Sequence, residues 1–149
     1  LQENWKTTSS ARESCFMQKF DNFVACFDVL KNSNRDMAKS DEIYRTGVIG
    51  QFSLAFELSW KTLQEVMRAH AINEAENGSP REILKAGFKY NFIDDEQTWL
   101  QMLKDRNSAT HVYDEEAFEA VLNRVYDSYI NAFEHFSEKM LVKIEELKD

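Results

Sequence analysis

Five apolar residues, Phe16, Phe20, Phe23, Phe27 and Leu30, follow one another at spacings of 4, 3, 4 and 3. Only a helix of about 3.6 residues per turn puts such a series on one face, whereas a strand would divide it between two. The stripe predicts a helix over about residues 12–31, with residues 1–11 as a loose N-terminal extension. A chain that opens with this pattern must find other helices to cover its phenylalanines.

Further runs of the same kind follow. Ile43, Val48, Phe52, Phe56, Leu63, Val66 and Met67 keep helical spacing over about 41–70, after a polar connection, KNSNRDMAKS, in which Ser40 suits an N-cap. Gly47 and Gly50 inside that run each cost about 1 kcal/mol against alanine, so they predict a close approach or a kink. GSPREI (78–83) is the sharpest start signal: Ser79 as cap, Pro80 at the first helical position and Glu82 as partner in a capping box. That helix is expected to be short, interrupted at Gly87. Asp94 is the expected cap of the next one, buried through Trp99, Met102 and Leu103. Asp114 caps a last long helix with Phe118, Val121, Val125, Ala132, Phe136 and Met140 on its apolar side, continuing to about Leu147. The expected fold is all-α: a single-domain, antiparallel up-and-down bundle of the four-helix kind with five or so helices. Its aromatic content suits a dimer through a leftover apolar face.

Composition narrows the function. With 11 Phe, 5 Tyr and 3 Trp against 4 Gly and 1 Pro, a many-turned β fold is disfavoured. The net charge is −8, and the acidity is concentrated in residues 107–149, which hold ten acidic and four basic side chains. General DNA or RNA coating is therefore not expected, because phosphate binding needs clustered Lys and Arg. No run reaches the roughly 18 apolar residues of a membrane span, and the opening LQENWKTTSSARES has no apolar core of a signal peptide. Cys15 and Cys26 on one helix lie about 16 Å apart along its axis, too far for a disulfide. Two cysteines and three scattered histidines make no metal pattern. The expected compartment is the reducing cytoplasm, and no cofactor is expected. There is no Gly-rich phosphate loop and no transferase motif. His70 and His135 read as structural.

Residues 106–115, RNSATHVYDE, hold arginine, histidine and tyrosine in the order R-x4-H-x-Y. On one continuous helix Arg106 and His111 would stand about 140° apart and share no face. A joint role needs a helix break after Arg106, which Asn107 and Ser108 suit, or a second chain. In an extended stretch His111 and Tyr113 would point the same way. Histidine transfers protons near neutral pH, and arginine grips phosphate and stabilises added charge. Together they suit metal-free RNA cleavage through the 2′-hydroxyl. The plain alternative is that Arg106 offsets a helix C-terminus and His111 caps a turn.

Four blocks carry a resemblance: FELSWKTLQEVM (56–67), SPREILKAGFKYNFIDD (79–95), WLQMLKDRN (99–107) and HVYDEE (111–116). In this order, over about residues 15–147, the chain resembles the nucleotidyltransferase substrate-binding protein family of the HEPN superfamily, related to the HepT toxins. The resemblance implies a homodimeric antiparallel bundle and a partner, a separate minimal nucleotidyltransferase encoded nearby. In that pairing the bundle is the nucleotide- or substrate-binding half, in a module of the toxin–antitoxin type. Trp60, Lys61, Arg81 and Lys85, within these blocks, are the expected binding residues. In the HepT relatives the R-x4-H pair makes a metal-independent endoribonuclease at the dimer cleft, and the partner adenylylates the tyrosine. Carried over, Arg106 and His111 would be the catalytic pair, Asn107 a polar helper and Tyr113 the modified residue. The blocks at 56–67 and 79–95 fit the substrate-binding branch better than the toxins.

Overall fold

The computed structural model describes residues 2–108 and 114–148, with side chains from Cys15 onward. Its helices are α1 (Gln2–Lys31), α2 (Arg35–Ser40), α3 (Glu42–Ala69), α4 (Pro80–Lys89), α5 (Glu96–Ser108), α6 (Glu115–Arg124) and α7 (Ile130–Glu145). A π-helical segment, Val125–Tyr129, joins α6 to α7 without a break. Among the described residues there is no strand. The class is the all-helical bundle that the apolar spacing predicts. α1, α3 and the α6–α7 rod are long, and α4 and α5 are the short pair between the second and the last. Among the described residues no helix is long and apolar enough to cross a membrane.

Several boundaries differ from the sequence expectation. The α1 backbone begins at Gln2, through the segment expected as an extension, because residues 2–14 contain no Gly or Pro to stop it. The expected polar connection contains α2, capped by Asn34, whose Oδ1 accepts from the Met37 N–H at 3.0 Å. Asp41, not Ser40, caps α3: its Oδ1 accepts from the Tyr44 N–H at 3.0 Å, while Ser40 closes α2. At α5 the cap falls to Asp95, which accepts from the Thr98 N–H at 3.2 Å. Asp94 instead pairs with Lys139 at 2.5 Å. Ser79 and Asp114 cap α4 and α6 as predicted.

The glycines exchange roles. A Cβ at Gly47 or Gly50 would meet open space, so neither marks a close approach among the described residues. The close approach is at Gly87, where a Cβ would lie 2.9 Å from Leu63 Cδ2. This glycine lets α4 pack onto α3, and the helix runs through it to Lys89. α3 and α4 then end alike. Ala71 (φ 61°) and Asn91 (φ 63°) turn left-handed, and the N–H of the next residue folds back in each case: Ile72 to Met67 O at 3.0 Å, Phe92 to Gly87 O at 2.7 Å.

The core is aromatic and centres on Phe133. Its ring meets Phe23 (5.7 Å between centroids), Phe27 (5.8 Å), Trp99 (5.7 Å) and Phe52 (6.3 Å), and so ties α1, α3, α5 and α7 together. Phe133 is fully buried, and Ala132, expected on that face, only partly. The π segment adds a residue to the turn and shifts the buried register after Val125 to Tyr129, Phe133, Phe136, Met140 and Ile144.

Candidate functional site

Arg106 sits in the last turn of α5, and its Nη2 is ion-paired with Glu57 of α3. The same carboxylate accepts from the Trp60 indole N–H at 3.2 Å and pairs with Lys61 Nζ at 3.2 Å, whose ammonium lies 5.9 Å from the Trp60 ring centroid. Three of the residues expected at the site, Trp60, Lys61 and Arg106, are thus gathered by Glu57, which sequence reasoning does not single out. Its position three and four residues before Trp60 and Lys61 on one helix is the available signal.

Burial pushes the Glu57 carboxyl up, but the hydrogen bonds from Trp60 and Lys61 and the charge of Arg106 outweigh it and hold the group below its ordinary range. A carboxyl depressed in the folded state stabilises above its unfolded pKa of about 4.3 and loses that contribution as pH falls through the folded value. Glu57→Gln is therefore expected to flatten the fall of thermal stability below about pH 5, read as melting temperature against pH. An acid limb identical to wild type would contradict this.

On its other side Arg106 opens onto a groove between the start of α4 and the length of α5. Ser79, Pro80, Arg81, Gln97, Gln101, Lys104, Arg106 and Asn107 line it, with Leu100 and Leu103 as its apolar floor. The Arg106 Nη1 donates to the Asn107 Oδ1 at 3.4 Å. Three basic side chains and a helix N-terminus therefore face one groove in an acidic chain. That is an arrangement for an anion. Lys85 is not brought to it; it lines a separate depression on α4 with Glu74, Asn77 and Lys89.

Gln101 of the groove leads to a second unpredicted group. Asp105 is 3% exposed. Its carboxylate accepts from Arg124 Nε at 2.7 Å and Nη2 at 2.8 Å, from Gln101 at 3.1 Å and from the Tyr129 hydroxyl. Burial and the bond to Asp105 push the Tyr129 phenol far above its usual range, so it stays a neutral donor. α5 runs on to Ser108, two residues past the expected break, and α6 starts at Glu115. His111 and Tyr113 lie outside the described residues. His70 caps the C-terminus of α3 and its Nε2 is 2.7 Å from the Lys143 carbonyl, a structural role. His135 is exposed, with its side chain 65% accessible.

The family model described as nucleotidyltransferase substrate binding protein like matches residues 18–142. The chain belongs to that family. The match takes in the Glu57 cluster, the groove and the Asp105 network alike. Among curated proteins, a probable ribonuclease HepT of Haemophilus influenzae is 30% identical over 88 residues, 58% of this chain and 60% of the relative. The chain thus matches less than two thirds of that relative's length. Two solved structures share the fold. One, from Thermus thermophilus, has a TM-score of 0.63 at 22% identity and covers 82% of this chain and 98% of its own. The other, from Haemophilus influenzae and described as the fold of a substrate binding domain of a nucleotidyltransferase, has a TM-score of 0.62 at 20% identity, covering 86% and 98%.

Proposed function

We propose that this chain is the nucleotide- or substrate-binding subunit of a two-protein nucleotidyltransferase, acting in the cytoplasm as a homodimer beside a minimal transferase encoded nearby. The observation that carries the reading is the convergence of Arg81, Lys104 and Arg106 on one groove in a chain of net charge −8. Guanidinium groups grip phosphate bidentately, and the positive end of the α4 dipole faces the same groove. Trp60 and Lys61 hold the rear of Arg106 through Glu57 rather than lining the groove. Lys85 lies on a different surface, with Glu74, Asn77 and Lys89. The exposed Ile43 and Leu54, with open space over Gly47 and Gly50 between them, offer α3 a face for a second copy. Co-purification with the neighbouring transferase tests the pairing: a complex is expected at micromolar concentration, and none at that concentration would count against it.

The likeness to a probable ribonuclease HepT supports a second reading, a metal-independent endoribonuclease of the toxin–antitoxin type. Arg106 and His111 would be its catalytic pair, Asn107 the helper and Tyr113 the residue through which a partner controls it. Purified protein is incubated with RNA in EDTA beside His111→Ala; cleavage lost in the variant supports this reading, and identical behaviour removes it.

A further inference from the structure

Arg124 and Tyr129 are five residues apart. In a regular α-helix five residues turn about 500°, leaving the two side chains about 140° apart and facing different neighbours. The π segment bonds each residue to the fifth one along, which brings such pairs into line. Arg124 and Tyr129 consequently meet on the side turned to α5, and both hold Asp105. The segment is braced in turn by the start of α2. Arg35 pairs with Asp127 at 2.7 Å and donates to Asn123 at 3.3 Å. Its guanidinium also lies 5.5 Å from the Tyr126 ring centroid, and the Tyr126 and Ser33 hydroxyls are 2.6 Å apart.

Asp105 immediately precedes Arg106. Pinning Asp105 inward turns Arg106 about 100° around the helix, toward Glu57 and the groove. The same pin ties the last turn of α5 to the end of α6, the two helices that flank the segment carrying His111 and Tyr113.

We propose that Asp105 is a positioning residue for Arg106, and that the π segment is the device that grips it by setting Arg124 and Tyr129 on one face. The inference rests on reading the groove beside Arg106 as a binding site. Tyr129→Phe is the sharpest variant, since it keeps the ring stacked on Phe52 (5.1 Å between centroids) and removes only the hydroxyl. Arginine side-chain N–H resonances of the full chain are compared with wild type, Arg106 being assigned by its loss in Arg106→Lys. The expected result is a displaced or broadened Arg106 signal and an unmoved Arg68 signal, in a protein that still unfolds cooperatively. ATP binding should weaken about two- to tenfold, the scale of one hydrogen bond. An unmoved Arg106 signal in folded Tyr129→Phe and Arg124→Lys would overturn the proposal. If wild type binds no ATP, the nucleotide reading fails, while the Arg106 resonance still decides the positioning role.

Discussion

Replacing Asp105 by alanine is expected to lower the unfolding free energy by about 2–4 kcal/mol, the cost of losing charge-assisted hydrogen bonds and leaving a buried hydroxyl without its acceptor. The side chain of Asp105 is 4% exposed, and that of Arg124 38%. The variant would leave the buried Tyr129 hydroxyl without its acceptor and strip Arg124 of both its bonds to the carboxylate. In a domain of this length such a loss lowers the melting temperature by about 10 °C. Asp127→Ala is the comparison: its pair with Arg35 is 60% exposed on the aspartate side, and water screens such a pair so that it contributes little. Urea unfolding of both variants separates the two cases. A cost below about 1 kcal/mol for Asp105→Ala would show that the buried network contributes no more than a surface pair.

Phe133→Ala should cost a similar amount, about 3–5 kcal/mol, for a different reason. Its ring touches four others from three further helices, and none of the long rods can close the void without moving the rest. Phe133→Leu keeps most of the volume and should cost markedly less, about 1–2 kcal/mol. Equal losses for the two would mean that ring geometry rather than filled volume holds the centre of the bundle.

Both residues show where sequence patterning succeeds and where it stops. Apolar spacing locates the long helices, because a core-facing stripe is a local property of the chain. It puts Ala132 rather than Phe133 on the apolar side of the last helix because a π segment changes the turn without any residue that announces it. Gly87 reads as a helix breaker for a similar reason: only the approach of Leu63, 24 residues earlier in the chain, shows what the missing side chain makes room for. Cap assignments slip by one residue where adjacent polar side chains, Ser40 and Asp41 or Asp94 and Asp95, compete for the same role.

The candidate site is legible in part. Arg106, Asn107 and Arg81 stand out in the sequence and share one groove; Trp60 and Lys61 reach it only through Glu57. Asp105 continues the Trp99–Met102 face by three more residues, a charged group in an apolar register, and that position is its one sequence signal. Its partners Arg124 and Tyr129 cannot be paired by helical spacing, since they meet only because the helix is not regular there.

The groove itself can be tested without knowing the natural substrate. ATP is titrated calorimetrically into the full chain, with Arg81→Ala and Arg106→Ala measured beside wild type. Saturable binding is expected, weakened about tenfold or more in each variant, as fits a charge-assisted hydrogen bond of about 1.5–3 kcal/mol. Binding of equal strength in all three proteins would place the nucleotide elsewhere and contradict the assignment of the α4–α5 groove.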